Sequence, residues 1–206
     1  MRRPVAIALL AAALVAPAAL AQQPAPGEHL YIDFKTTLPG WKLLPTERGP
    51  HVELTEIVPP GQNREDWTDE VAVNVIYGPS PESPADLLAQ RVDLISRECQ
   101  DYDAGPVAPM IENGYETALR AVACNKAKHW DKGEVSLFKA WRGREAMYLV
   151  ARSWRGPPFA KNTRPVPTQT TLQWLAFMQG IVLCDTRDPK RPCPVPATGP
   201  AAQQKP

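Results

Sequence analysis

Three sets of residues in this 206-residue chain have the types and spacing that chemistry can use. The first is the acidic run around Trp67, in which Glu65, Asp66, Asp69 and Glu70 follow Glu56 closely enough for carboxylates to meet. Paired carboxylates shift one another's pKa and divide acid from base roles, so a hydrolase using Glu56, Asp66 and Asp69 near Trp67 is one reading. The run lacks the Asp/Asn-x-Asp/Asn-x-Gly alternation of a calcium loop, which favours a solvated connector with one helical turn capped by Asn63. The second set is Arg142, Arg144, Arg152 and Arg155, which bracket the stretch 133–156. Together they would suit an anion; singly, strand-end arginines serve as solvated edge charges. The third set is the six tryptophans at 41, 67, 130, 141, 154 and 174. Convergence of Trp67, Trp141 and Trp154 would line an apolar cleft. The candidate ligand-binding residues are therefore Trp67, Trp141, Arg142, Arg144 and Trp154.

Other chemistry is absent from the pattern. There is no GxSxG elbow, Gly-rich phosphate loop, HExxH or SxxK. His29, His51 and His129 are scattered, and the four cysteines do not fall at metal-ligand spacing, so neither a metal nor a cofactor is expected.

The elements that must position these residues begin with 133–156. Val135, Leu137 and Trp141 alternate against Phe138 and Ala140, and Met147, Leu149 and Ala151 against Tyr148, Val150 and Trp154. Period two on both sides of Arg142-Gly143-Arg144 predicts an antiparallel hairpin, with Gly143 supplying a positive φ, set mid-sheet because both faces are apolar. Further strands are expected at 29–34, 50–58, 70–77 and 115–124, with a Pro/Gly loop at 102–114. Ser83-Pro84-Ala85-Asp86 opens a helix to about Gln100, with Ser83 as N-cap, Pro84 at N1 and Asp86 reaching back. Leu88, Val92, Ile95 and Cys99 form its inward stripe. A second, well-buried helix starts at 168–171 with Thr170 and Gln173 as capping box. The expectation is α+β: an antiparallel sheet of five to seven strands with two packed helices, stapled by disulfides.

Arg2 and Arg3, the apolar run Val5–Val15 and Ala19-Leu20-Ala21 read as a signal peptide over 1–21. A disordered leader (22–28), one α+β domain (29–193) and a disordered Pro/Ala-rich tail (194–206) follow, with no stable membrane span after cleavage and a periplasmic or secreted location. Removing the two leader arginines leaves 21 Lys+Arg against 22 Asp+Glu, a net of −1 that offers nothing to nucleic acid. An even cysteine count in an exported chain favours two disulfides. Spacing and the inward position of Cys99 favour Cys99–Cys124 and Cys184–Cys193.

Gly40-Trp41, the segment Glu56 to Gln62 followed by Trp67-Thr68, Ser136 to Lys139, Gly143 to Tyr148 and Val182 to Arg187 leading to Cys193-Pro194 together resemble a family of exported proteobacterial proteins, which brings no activity with it. More loosely, the order of elements is similar to the PsbP/Mog1-like α/β/α sandwich, which implies architecture alone. The reading is a non-enzymatic binding or interaction module whose partner is a periplasmic protein or a small apolar ligand. The alternatives are the carboxylate hydrolase and a structural envelope component. Peptide mapping without reductant is expected to recover the 99–124 and 184–193 links; a 124–184 link would overturn the placement of the first helix.

Overall fold

Central to the fold is a hairpin with both faces covered. In the computed structural model, which describes residues 27–78 and 82–195, the strands in chain order are β1 (Glu28–Tyr31), β2 (Lys42–Leu43), β3 (Glu47–Arg48), β4 (Val52–Val58), β5 (Asp69–Tyr77), β6 (Cys99–Ala104), β7 (Ala108–Glu112), β8 (Tyr115–Ala127), β9 (Gly133–Arg142), β10 (Ala146–Gly156) and β11 (Val182–Asp185). The helices are α1 (Phe34–Thr37), α2 (Pro84–Glu98) and α3 (Thr168–Gly180). Strands β9 and β10 pair from Arg142↔Met147 to Gly133↔Gly156 and sit in the middle of the order β2-β4-β5-β10-β9-β8-β6. All pairings are antiparallel. Strands β2 and β3 pair with different parts of β4, and β6 and β7 with different parts of β8, so nine strands occupy seven positions. Among the described residues, no helix is long and apolar enough to cross a membrane.

The alternation predicted for the hairpin separates two cores. Phe138, Ala140, Leu149 and Ala151 point to one face with Ala118 and Val122 of β8, where Leu88 and Val92 of α2 meet them. Alanines dominate that face, so the helix can lie close to the sheet. Leu137, Trp141, Tyr148 and Val150 point to the other face and pack with Ile57 and Val71, with Trp174, Phe177 and Met178 of α3, and with Ile181 and Leu183 after it. Helix α2 opens as its sequence predicts. Ser83 Oγ accepts from Asp86 N–H, the Asp86 carboxylate accepts from Ser83 N–H, and Pro84 opens the first turn. The C-cap Cys99 turns straight into β6 and is bonded to Cys124 on β8 (Cα–Cα 5.7 Å), while Cys184–Cys193 closes the loop after β11 (Cα–Cα 4.9 Å).

Several expectations change. The segment 102–114 is not a loop: β6 and β7 dock on the edge of β8, whose backbone groups supply partners that the local sequence does not advertise. No helical turn follows Asn63, whose Oδ1 accepts from Glu65 and Asp66 N–H at 2.9 Å in a side-chain turn. Helix α3 starts at Thr168 without a side-chain cap, so Thr170 lies inside it and the proposed capping box does not form. Leu172 on that helix is 54% exposed, so its burial is one-sided. Residues 1–26 and 196–206, which carry the proposed signal peptide, most of the leader and most of the tail, lie outside the described residues.

The last of the leader is structured. Strand β1 starts at Glu28 and pairs with β11, from Glu28↔Asp185 to Tyr31↔Val182. The Glu28 carboxylate is buried in the turn of the central hairpin, accepting from Arg144 N–H (2.8 Å), Glu145 N–H (3.2 Å) and Tyr148 Oη–H (3.3 Å). This explains Gly143, which does not take the positive φ expected of it. A Cβ there would collide with the Glu28 carboxylate and crowd the Ala146 carbonyl. Gly143→Ala is therefore expected to cost roughly 1–3 kcal/mol and to raise amide exchange across Glu28–Tyr31, while Glu28→Gln, which keeps an acceptor, costs less. Unchanged exchange in Gly143→Ala would show that the turn does not hold β1.

Candidate functional site

The face of the sheet under α2 is apolar along most of the helix and turns polar where the helix ends. Two registers carry this change. Val122, Ser136, Ser153 and Glu70 lie in one row across β8, β9, β10 and β5; Cys124, Glu134 and Arg155 lie in the next. Ser136 and Ser153 are buried and satisfy each other at 2.8 Å. Arg155 leaves the strand one residue after Trp154 and so faces the opposite way. Its N–H continues the ladder to Thr68 O (2.9 Å), which delivers the neighbouring Trp67. The Arg155 guanidinium lies 3.6 Å from the centre of the Trp67 ring and 4.1 Å from that of Trp130, and donates twice to Glu134 Oε2 (3.1 and 3.3 Å). Trp67 is buried, whereas Trp130 is 45% exposed.

Beside this stack opens a cleft of about 250 Å³. Leu94 and Ile95 of α2, the Cys99–Cys124 disulfide and Trp130 supply apolar wall; Arg91, Lys132, Arg155, Glu98 and Glu134 supply charge. Arg91 stands out among them. It shares the inward side of α2, three residues after Leu88 and four before Ile95, with its guanidinium 6.0 Å over the Phe138 ring. Burial lowers its pKa, with Glu134 opposing. Among the described residues it has neither a hydrogen-bond acceptor nor an ion-pair partner, whereas Arg155 has Glu134. The arrangement can hold a compact ligand with an apolar body and one anionic end.

Next to the stack lies a pair of buried carboxyl groups, Glu56 and Glu70. Burial, and then the Glu56 carboxylate beside it, push the Glu70 carboxyl up to about 8. Arg64 bonds the other side of Glu56, together with Glu47 and the Pro45 carbonyl (2.9 Å). The hydrolytic trio read from the sequence does not assemble. Asp69 points to the opposite face of the sheet, to Arg152 (3.2 Å), and Asp66 sits on the exposed turn made by Asn63. The raised carboxyl belongs to Glu70 instead.

The remaining expected site residues are dispersed. Trp141 is fully buried under the Lys139 ammonium (4.8 Å). Trp154 packs on Phe159, in ring contact at 6.2 Å, and over Gly156, where a Cβ would strike its indole. Arg142 pairs with Glu116 (2.5 Å) and Arg144 with Asp188 (2.9 Å). Arg152 is buried near Trp41 (4.6 Å) and Trp174 (4.9 Å). The three-tryptophan cleft therefore does not form: Trp141 and Trp154 belong to the α3 face, and only Trp67 reaches the stack beside the cleft. Arg91, Trp130, Lys132 and Glu134 were missed. Arg91 carried a signal, an arginine set within the apolar stripe of an amphipathic helix.

No protein-family model matches the chain, and no curated protein matches it. Among solved structures it is similar to the solution structure of cyanobacterial PsbP (CyanoP) from Synechocystis sp. PCC 6803, at 12% identity and a TM-score of 0.48, over 81% of this chain and 98% of that one. That is a loose likeness of architecture.

The carboxyl pair makes a pH prediction. Glu70 keeps its proton in the folded chain up to about 8, whereas the unfolded chain releases it near the ordinary carboxylate value. The folded state thus binds the extra proton between these limits, and its stability falls as pH rises through that window. Unfolding free energies from denaturant titrations at pH 5 and 8.5 should differ by on the order of 3 kcal/mol or less, and Glu70→Gln should flatten the difference. A slope kept in Glu70→Gln would assign it to another group.

Proposed function

We propose that this chain is an exported, non-enzymatic binding module whose ligand is a small amphipathic anion held in the cleft at the end of α2. Arg91 carries the reading. A guanidinium that is partly desolvated and has no acceptor among the described residues is prepared to make charge-assisted hydrogen bonds to a carboxylate or similar group. Leu94, Ile95 and the exposed edge of Trp130 offer the apolar body a surface, and Lys132 adds a second cation at the rim. Arg155 is already committed to Glu134, Trp67 and Trp130, so it shapes the wall and keeps Trp130 in place. Export through the segment 1–21 fits the two disulfides, which persist in oxidising compartments.

Octanoate and octanamide are suitable probes because they share a tail and differ in charge. Titration should change the fluorescence of Trp130 with octanoate, and octanamide should bind about tenfold or more weakly, the loss of a hydrogen bond between charged groups. Arg91→Ala should remove the discrimination while leaving the melting temperature close to that of the native chain. Equal binding of the two probes, or an unchanged preference in Arg91→Ala, would exclude Arg91 as the anion contact.

A further inference from the structure

Strand β1 brings His29 against the loop after β11. His29 pairs with Cys184 in the β1–β11 register, and its Nε2 lies 3.7 Å from Cys184 Sγ and 3.9 Å from Cys193 Sγ. The other ring nitrogen, Nδ1, is 3.1 Å from the Gly27 carbonyl. A carbonyl can only accept, so Nδ1 carries the proton and the lone pair of Nε2 faces the two sulfurs. This is how metal-binding histidines are oriented: one nitrogen fixed by a backbone oxygen, the other presented. The three donor atoms all lie within 4.8 Å of one another.

We propose that His29, Cys184 and Cys193 form a zinc-class metal site that becomes available when the Cys184–Cys193 disulfide is reduced. Around tetrahedral zinc, with Zn–S about 2.3 Å and Zn–N about 2.0 Å, a sulfur and a nitrogen ligand stand about 3.6 Å apart and two sulfurs about 3.8 Å apart. His29 already stands at such distances from both sulfurs, so only the sulfurs have to part. The chemistry balances with a dithiol as reductant: it gives two electrons and two protons, leaves as a disulfide, and converts the protein disulfide to two thiols. The cation then displaces both thiol protons. Cys184 is buried, while Cys193 and His29 are half-buried, so reductant and metal approach from the Cys193 side. Three protein donors leave a fourth tetrahedral position open to water or another ligand.

The cysteines are held together by more than their bond. Asn113, in a left-handed conformation (φ 48°) between β7 and β8, donates its amide to the carbonyls of Leu183 (2.9 Å) and Pro192 (3.2 Å). These are the residues directly before Cys184 and Cys193. Within the loop, Asp185 N–H bonds Arg191 O (3.0 Å) and Arg191 N–H bonds Asp188 O (2.9 Å). Arg191 also reaches the Gly114 carbonyl (3.2 Å). Reduction therefore leaves both sulfurs facing His29.

The test uses the purified protein with and without a phosphine reductant, followed by Co²⁺ and then Zn²⁺. The reduced protein is expected to take up one Co²⁺ with the visible bands of a tetrahedral thiolate site, to lose them to Zn²⁺, and to keep its circular dichroism; the oxidised protein should show no such bands. His29→Ala should weaken uptake at least tenfold and Cys193→Ser should abolish it. Bands that survive both substitutions, as the other cysteine pair would give, overturn the assignment. So does reduced, folded protein without bands, and so does unfolding on reduction, which would show that Asn113 and the loop do not hold the donors in place.

Discussion

A cation inside a two-sided sheet must be solvated by something other than water. Strands β9 and β10 are covered by helices on both sides and nevertheless carry Lys139, Arg152 and Arg155. Each is accommodated in the same way, by aromatic rings together with a carboxylate. Lys139 lies over Trp141 and reaches Glu112 (2.7 Å) and the Met178 carbonyl (2.8 Å) near the end of α3. Arg152 has Trp41, Trp174 and Asp69; Arg155 has Trp67, Trp130 and Glu134. Five of the six tryptophans are thus used to solvate charge, each contact being worth about 0.5–2 kcal/mol. Removing one ring would therefore cost its packing and, in addition, one of the contacts that replace water around the cation.

This requirement also sets where the sheet opens to the surface. On the α3 face the cations are buried beneath helix and loop, with Trp141 and Trp174 buried and Trp41 half-buried. On the α2 face the helix stops at Glu98, before the sheet does, so the Arg155 stack comes to the surface with one ring exposed. The cleft is the space left between a helix that is too short and a strand that runs past it. Arg91 faces that space from the helix side, at the one inward position of α2 where an apolar residue would have filled it.

Much of this was legible from residue order. Period-two alternation in 135–154 placed each side chain on its face, and Leu88, Val92, Ile95 and Cys99 at helical spacing put Cys99 above Cys124. What was not legible depends on partners far away in sequence. Glu28 reads as leader until the turn at Arg144, 116 residues on, supplies its donors. Residues 102–114, with Asp103, Pro106 and Pro109, read as loop because their strand partner is the free edge of β8. Whether Trp141 and Trp154 lined a cleft or filled a core was settled by the position of α3, which local pattern does not encode. Asp69 and Glu70 show the limit most simply: they are adjacent in sequence and on opposite faces of one strand.

The segmented edges of the sheet have a consequence for how copies of this chain meet. At one edge β2 and β3 cover separate parts of β4, and at the other β6 and β7 cover separate parts of β8. Neither outer ladder is longer than a few residues before the chain turns away, and Pro109 removes a donor from β7. A neighbouring strand that tried to add itself would find no continuous row of N–H and C=O groups to copy. The long inner strands are those best suited to template aggregation, and these short flanking pieces keep them from view.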